Sequence, residues 1–387
     1  MGKKVKHLFY NILNIVKKIF FFFYVIIFDV YSIFCFIFHK ISKDTVLIVE
    51  PNNYHGEILP GYVKYFQDLG YNVELFIRHK HKFCSPFCLY PSDKLPLFFV
   101  LSLFSMKLLF KLKKINYYKV IFFSTSSVWK KKKIIPFVKM FPVDRVKEKV
   151  FCVEHDIGYF NIKNMKNLSY LKYFCDNGKV FTLSDYKNFP SLLPCYFGDI
   201  VSDKKLSSNK KRFLSVGTAL SYVRNNSLII DVVDKLVKNG YTNLEVIIVA
   251  KKGKVCVPKH LKSYIKFMGK LSFKELFSQL QSSDFFLACL DASINEHHKY
   301  LNGTTTGSKG LVCSFIKPFV ISKVFADAMG FNDTNSIIYK DNDLYDAMLR
   351  CVNMKENEYS DICKNLKIVS DRFYNISYCN LKDRLKI

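Results

Sequence analysis

Short apolar strand patterns alternate with helical patterns along most of this chain, and that alternation constrains the fold more than any other feature. The first series begins with the strand pattern DTVLIVE, the helical pattern YVKYFQDLG and the strand pattern YNVELFIR. A strand, a helix and a second strand in this order pack as a right-handed crossover between parallel strands. Further strand patterns end in polar residues, at YKVIFFSTSS, KVFCVEHDIGYF and KVFTLSD. We expect a doubly wound parallel sheet within residues 44–200.

A second series of the same kind follows the polar, aperiodic stretch VSDKKLSSNKK, which predicts a linker at residues 201–211. The series RFLSVG, NSLIIDVVDKLVKNG and LEVIIVAKKG continues to FVISK and predicts a second domain at residues 212–365. Residues 366–387 are expected to form a helical tail that could return to the first domain. The predicted fold class is therefore α/β, with two Rossmann-like domains. Such sheets bind ligands beyond the carboxyl ends of their strands, so a cleft between the two facing sheets is the expected site.

The N-terminal segment, residues 1–43, has a different character. From Ile19 to Phe38 it carries enough apolar residues for the ~20 that a membrane-spanning helix needs. Asp29 would cost roughly 2.5–3.5 kcal/mol at a bilayer centre. On a helix, several polar residues fall along one stripe, which Phe22, Val25 and Phe36 interrupt, as in an amphipathic helix in the membrane plane: Asn11, Asn14, Lys18, Asp29, Ser32, His39 and Lys43. An in-plane helix is favoured, while a single span and a soluble core helix stay open.

The charge balance points to an anionic surface as partner. The formal net charge is +27, and lysines follow apolar residues in LPLFFVLSLFSMKLLFKLKK and WKKKKIIPFVKMF. Near anionic lipid each Lys or Arg contributes on the order of 1 kcal/mol. No nucleic-acid-binding motif is present in the sequence, so nucleic acid is not the expected partner. The expected location is the cytoplasmic face of the cell membrane, either peripheral or monotopic or with a single N-terminal anchor.

The spacing of the cysteines and histidines bears on whether the protein forms disulfides or binds a metal. The twelve cysteines have no regular spacing, which is typical of thiols in a reducing compartment. His79, His81, Cys84 and Cys88 lie close together, but their spacing fits no standard zinc motif. No Asp-x-Asp motif with an assignable role is present. We therefore expect neither a metal nor a cofactor.

The stretch NEHHKYLNGTTTGSKG places small and hydroxyl residues just before a helical pattern. Backbone N–H groups at a helix N-terminus, together with the helix dipole, form an anion site. The predicted phosphate-binding residues of this threonine loop are Thr305, Thr306, Gly307, Ser308 and Lys309. An ordinary Gly/Thr turn with a capping role is the alternative.

From residue 44 onward the order of these segments resembles that of GT-B glycosyltransferases. The similar segments are VLIVEPNNYHGEILPGYVKYFQDLGYNVELFIR, RFLSVG, IIVAKKG, IKFMGKLSFKELFSQLQSSDFFLACLD and GSKGLVCSFIKPFVIS. The resemblance implies that the first half takes the acceptor and the second half takes a nucleotide-sugar donor, with the threonine loop at the donor diphosphate. The other donor-binding residues that it implies are Gly217, Thr218, Arg224, Lys252, Met268 and Gly269.

Two departures from the resemblance concern the donor site. Gly303 and Leu311 stand where many relatives have a Glu pair whose second member holds the donor ribose. Asp291 or Glu296 could replace that carboxylate. Thr218 stands where relatives tend to have an Arg, so Arg224 retains one cation of the usual pair, and Lys252 or Lys309 could compensate.

Candidates for a general base follow the strands of the first half. They are Glu154, His155 and Asp156 in VEHDIG, and His55 in YHGE, where Gly56 and Glu57 would contact the acceptor. The prediction is a metal-independent, hexosyltransferase-like enzyme that extends a lipid-linked or membrane-bound saccharide in surface glycan biosynthesis, such as that of lipopolysaccharide. A non-catalytic GT-B-like membrane scaffold or partner subunit is the alternative. A basic nucleic-acid binder is a third hypothesis, which the apolar N-terminus opposes.

Overall fold

The computed structural model describes residues 2–130, 133–155, 165–200, 205–220, 224–250, 253, 255–340 and 343–386. Asp156 and Lys252, predicted as a base candidate and a donor residue, lie outside the described residues, as do residues 201–204 of the predicted linker. The chain divides into two compact units. One comprises Met1–Gly56, Phe66–Phe83 and Pro96–Cys152, and the other comprises Glu57–Tyr65, Cys84–Leu95 and Val153–Ile387.

The first sheet has six strands, in the order β3 (Leu97–Val100), β2 (Asn72–Ile77), β1 (Thr45–Glu50), β4 (Val120–Phe123), β7 (Val150–Glu154) and β8 (Val180–Thr182). Strand β1 is buried at all six positions and pairs in parallel with β2 on one side and β4 on the other. A strand covered on both faces reads as a continuous apolar run, which is why VLIV lacks alternation. In chain order the elements to this point are α1 (Gly2–Phe38), β1 (Thr45–Glu50), α2 (Leu59–Asp68), β2 (Asn72–Ile77), α3 (His79–Cys84), β3 (Leu97–Val100), α4 (Leu103–Phe110), β4 (Val120–Phe123), the antiparallel pair β5 (Ser127–Lys130) and β6 (Lys133–Pro136), β7 (Val150–Glu154), α5 (Met165–Asp176) and β8 (Val180–Thr182).

The second sheet also has six strands, in the order β11 (Ile265–Gly269), β10 (Leu244–Ala250), β9 (Lys211–Gly217), β12 (Phe285–Leu287), β13 (Phe319–Ser322) and β14 (Ser336–Tyr339). Each pair of neighbouring strands is parallel. Capping residues set the starts of two of its helices. Asn225 accepts a hydrogen bond from the backbone of Leu228, and Ser272 and Glu275 form a capping box. The elements are β9 (Lys211–Gly217), α6 (Asn226–Lys238), β10 (Leu244–Ala250), β11 (Ile265–Gly269), α7 (Phe273–Ser282), β12 (Phe285–Leu287), α8 (Gly307–Phe315), β13 (Phe319–Ser322), α9 (Lys323–Met329), β14 (Ser336–Tyr339), α10 (Leu344–Asn353) and α11 (Glu356–Leu385).

The strand order reverses once in each sheet, between β1 and β4 in the first and between β9 and β12 in the second. At such a switch point the loops leave in opposite directions and open a crevice beyond the carboxyl ends of the strands. The two doubly wound parallel sheets predicted from the sequence are confirmed. The predicted tail is the second part of a single helix, α11, whose Asn380 side chain donates to the Ser191 carbonyl at 2.9 Å.

Two residues of the polar stripe on helix α1 face the protein. Asp29 and Ser32 are buried, and Asp29 accepts hydrogen bonds from the Ser102 backbone at 2.7 Å and the Ser105 hydroxyl at 2.5 Å. Burial alone would raise the pKa of Asp29, but these bonds and one to His79 hold the pKa below its ordinary value. The protein itself thus supplies the partners that this buried carboxylate requires.

The opposite face of α1 is apolar and exposed. Its exposed residues include Phe21, Phe23, Ile26, Ile27, Val30, Tyr31, Phe34, Ile37 and Phe38. In the described part of the chain, no helix combines the length and the apolar character needed to cross a membrane.

Candidate active site

Arg224 lies against the end of β9, at the switch point of the second sheet. A Cβ atom added at Gly217 would stand 3.0 Å from Arg224 Nε and 3.3 Å from Arg224 Cγ. A larger residue at this position would require the Arg224 side chain to shift. The Arg224 side chain is buried and exerts an electrostatic effect on the thiol of Cys289. The structure thus brings together Gly217 and Arg224, two of the predicted donor-binding residues.

Asp291 ties the loop after β12 to the start of α6. Its Oδ2 accepts a hydrogen bond from Asn225 Nδ2 at 2.7 Å, and its Oδ1 accepts from the Ser293 backbone at 2.8 Å and the Ser293 hydroxyl at 2.6 Å. Burial opposes ionisation, but the bonds from Ser293 and Asn225 outweigh it, so the pKa of Asp291 lies below its ordinary value. Both carboxylate oxygens of Asp291 are therefore engaged within the protein, whereas Glu296 is exposed.

The threonine loop is linked to the same edge of the sheet by His297. The His297 Nδ1 atom lies 2.9 Å from the Asp291 backbone nitrogen. His297 belongs to the 3-10 turn Asn295–Leu301, which leads directly into the loop. Beyond the turn, Gly303 adopts a positive φ of 88° and its carbonyl accepts a hydrogen bond from the Ser184 hydroxyl. These contacts fix the approach to helix α8.

Thr306 is the residue immediately before α8, and its side chain is buried. Its hydroxyl oxygen has no hydrogen-bond partner among the described residues and does not cap the helix. Gly307 is exposed, and a Cβ atom added there would meet nothing within 4 Å. A buried hydroxyl without a partner is costly unless a ligand or water supplies one. The open space at Gly307, beside the first N–H groups of the helix, suits an anion.

The other predicted donor residues differ in their surroundings. Lys309 is buried, with its ammonium 4.0 Å from the centre of the Phe373 ring on α11, and burial lowers its pKa. Ser308 is also buried, and Thr305 and Thr218 are partly exposed. At the end of β11, Met268 is 42% exposed and Gly269 has a positive φ of 66° with open space around it. The contacts of Lys309 lie in the core of its unit.

A site that the sequence analysis missed lies at the switch point of the first sheet. Glu50 ends β1 and is fully buried. Its carboxylate accepts hydrogen bonds from the Asn52 backbone and the Ser124 hydroxyl, each at 2.7 Å, and from Thr125 at 3.4 Å. Burial raises the pKa of Glu50 to about 7, against the opposing effects of His55 and these hydrogen bonds. The sequence signal was a carboxylate at the end of an apolar strand, which alone has no distinguishing context.

One of the predicted residues of the first half, His55, interacts with this network. His55 has a positive φ of 63° and acts electrostatically on Glu50. Gly56 lies against His81, because a Cβ atom added at Gly56 would stand 2.4 Å from His81 Nδ1. Glu154 is buried at the end of β7, and His155 and Glu57 are partly exposed.

Two of the residues of the histidine and cysteine cluster are used in other contacts. His79 Nε2 lies 2.8 Å from Asp29 Oδ1, and His81 Nε2 lies 2.8 Å from the Asn52 carbonyl oxygen. Across the described residues, no three His, Cys, Asp or Glu side chains converge as metal ligands would.

Comparison with known proteins identifies solved structures that are similar to this chain. No protein-family model and no curated protein matches the sequence. The structure of Anabaena Alr3699/HepE in complex with UDP and glucose is similar over 89% of this chain and 100% of its own, with 11% identity and a TM-score of 0.57. The same protein in complex with UDP-glucose gives 13% identity over the same shares and a TM-score of 0.52. A structure of WaaG, a glycosyltransferase involved in lipopolysaccharide biosynthesis, covers 87% of this chain and 98% of its own at 8% identity and a TM-score of 0.46.

The likeness to the two HepE structures shows that this chain has the GT-B fold, with two α/β domains. The resemblance expected from the order of segments is thereby confirmed at the level of the fold.

Proposed function

We propose that the chain is a glycosyltransferase that moves a sugar from a nucleotide-sugar donor to a lipid-linked or membrane-bound saccharide, at the cytoplasmic face of a cell membrane. The observation that carries this proposal is the start of α8, where the Thr306 hydroxyl is buried without a partner beside the open space at Gly307. A nucleoside diphosphate would satisfy that hydroxyl and the first N–H groups of the helix. HepE, which shares the fold, was solved with UDP-glucose.

Arg224 supplies the second element of the proposed donor site. Departure of a nucleoside diphosphate leaves negative charge, and a buried guanidinium stabilises developing charge better than one in water. Arg224 is 7% exposed and is followed by Asn225, whose side chain is fixed by Asp291. We assign Arg224 and the α8 N-terminus to charge stabilisation, and Asp291 to holding the two segments together.

The proton of the acceptor hydroxyl requires a base in the first half of the chain. Glu50, with a pKa of about 7, has a proton affinity suited to such work, but it is fully buried. We therefore propose that Glu50 acts through its neighbours and that His55, which is partly exposed, is the residue that meets the acceptor. His155 and Glu154 stay candidates for the same role.

The exposed apolar face of α1 supports a membrane-bound acceptor. Phe38 is 71% exposed, and Phe104 on the neighbouring helix α4 is 75% exposed. Lys111 and Lys113 follow α4 and are also exposed. An apolar helix face rimmed by lysines suits insertion into the headgroup region of an anionic bilayer.

The test is a thermal-shift screen of nucleotide-sugars on protein extracted in mild detergent. UDP-, GDP-, CMP- and dTDP-sugars would be compared on wild type, Gly307→Asp and Gly307→Ala. Because a Cβ atom at Gly307 meets nothing, both variants should fold. We expect one nucleotide to raise the melting temperature of wild type and Gly307→Ala, and the aspartate to abolish that shift by repelling the diphosphate.

Failure of every donor to shift wild type would support the non-catalytic scaffold instead. An equal response in both variants would remove the donor from the threonine loop. Donor-dependent transfer to a lipid extract, measured on the same preparations, separates an enzyme from a protein that only binds nucleotide.

A further inference from the structure

Two guanidinium nitrogens of Arg78 are buried without a hydrogen-bond partner among the described residues. Arg78 follows β2 at the carboxyl edge of the first sheet, and the two atoms are its Nε and Nη1. Leaving guanidinium donors unpaired in the interior costs on the order of 1–3 kcal/mol or more. A folded protein tolerates such a group where a ligand or ordered water completes it.

The nearest acid does not fill this role. Asp29 attracts Arg78 electrostatically, but its carboxylate is already used by His79 at 2.8 Å, the Ser102 backbone at 2.7 Å and the Ser105 hydroxyl at 2.5 Å. No hydrogen bond joins Asp29 to Arg78 among the described residues. The guanidinium keeps its charge and its donors.

Two lysines follow Arg78 closely in the chain, and one of them, Lys82, lies beside helix α1. The Lys80 ammonium donates to the Asn53 carbonyl at 3.0 Å, and the Lys82 ammonium lies 4.0 Å from the centre of the Phe28 ring on α1. The His79 Nδ1 atom is buried without a hydrogen-bond partner in the described chain. Arg78 as a whole is partly exposed.

We propose that Arg78, with Lys80 and Lys82, forms a binding site for the phosphate ester of a lipid at the junction of α1 and the first sheet. A guanidinium binds a phosphate through two parallel N–H···O bonds, and the lysines contribute charge without fixed geometry. The flanking turns of α1 expose Phe21, Phe23, Ile26 and Ile27, which suit the adjacent acyl region. This site shares with the proposed function only the assumption of a lipid ligand. It does not depend on transferase activity.

The test measures vesicle binding without any sugar donor, so its result is independent of catalysis. Phosphatidylcholine vesicles containing phosphatidic acid would be compared with vesicles containing phosphatidylglycerol at equal surface charge. Lys119→Gln is the matched control, because Lys119 is an exposed cation of the same unit. We expect wild type and Lys119→Gln to prefer the phosphomonoester, and Arg78→Gln to bind phosphatidic acid about tenfold more weakly and lose the preference.

Melting temperature distinguishes a binding residue from a structural one. Arg78→Met removes the two buried nitrogens that lack a hydrogen-bond partner among the described residues, so we expect it to melt no lower than wild type in the absence of lipid. A lower melting temperature with an unchanged lipid preference would overturn the proposal, as would equal behaviour of Arg78→Gln and Lys119→Gln. Inorganic pyrophosphate could raise the melting temperature of wild type but not of Arg78→Gln, while both proteins bind vesicles equally. That result would support a phosphate site at Arg78 and overturn a lipid as its ligand.

Discussion

The two sheets share one topology, yet their switch points carry opposite chemistry. Between β1 and β4 a buried carboxylate, Glu50, is held by Asn52, Ser124 and Thr125. Beyond β9 and β12 a buried guanidinium, Arg224, lies against a glycine. The first edge concentrates a titratable acid, and the second concentrates a fixed cation.

Under the proposed function, the two edges would meet different requirements of group transfer. A group that exchanges a proton near neutral pH must have its pKa shifted by burial and neighbours, as at Glu50. A group that holds a phosphate must stay charged at every working pH, which arginine does. Each edge therefore predicts a different response to mutation and to pH.

The largest effect should come from the pH dependence of Glu50. Its pKa is raised from 4.5 to about 7, so the folded chain retains a proton that the unfolded chain releases. The corresponding stability is present below the unfolded pKa and is lost as pH rises to about 7, a change of about 3 kcal/mol. Glu50→Gln cannot titrate and should lack this component of the slope in urea unfolding at pH 5 and pH 8. Glu296→Gln, at an exposed site, is the control, and equal slopes in all three proteins would contradict a shifted Glu50.

Arg224 should show the next largest effect, on turnover rather than on pH dependence. Arg224→Met removes the fixed cation, and we expect kcat/KM for the donor to fall about 100-fold, as for loss of one charge-stabilising group. Arg224→Lys should recover part of the loss. The control is Arg350→Met, which removes an arginine paired with Glu358 at the surface of the same unit. If the Arg224 and Arg350 variants lose activity equally, the two edges do not differ as described.

The smallest effect sharpens the comparison at the threonine loop. Thr306→Val keeps the shape of the side chain and removes a hydroxyl that has no partner in the described chain. Without donor we expect the free energy of unfolding to stay equal or rise by about 1 kcal/mol. With donor, the thermal shift should be smaller than in wild type. A loss of stability without donor would mean that the hydroxyl serves the fold and not a ligand.

The sequence predicted the fold well because strand and helix patterns are local. The runs DTVLIVE, RFLSVG and LEVIIVA became β1, β9 and β10, and each was recognisable within a few residues. The run WKKKKIIPF was harder to interpret. We assigned no strand to it, and its flanks form the antiparallel pair β5 and β6. Its role as a basic membrane face stays a prediction. Lysine-rich strands lack the apolar alternation that identifies a strand.

The sites were less predictable because their contacts join distant parts of the chain. Glu50 depends on Ser124, which lies 74 residues away, and Asp29 depends on Ser105, which lies 76 residues away. Lys309 was predicted to face the donor, but its ammonium lies over the Phe373 ring on a later helix. Spacing within a motif gives no information about such partners, so the donor and acceptor roles stay predictions.

The hydrogen bonds of Asp29 have a mechanical consequence. One carboxylate joins helix α1 to the first turn of α4, so α1 cannot swing away without exposing two serines and a histidine that it now satisfies. A bilayer that takes up the apolar face of α1 would therefore meet a helix held rigidly against its unit, and not a flexible segment. Docking would fix the tilt of this unit against the membrane plane. The sheet edge would then stand at a fixed height above the lipid, where a membrane-bound saccharide could meet it.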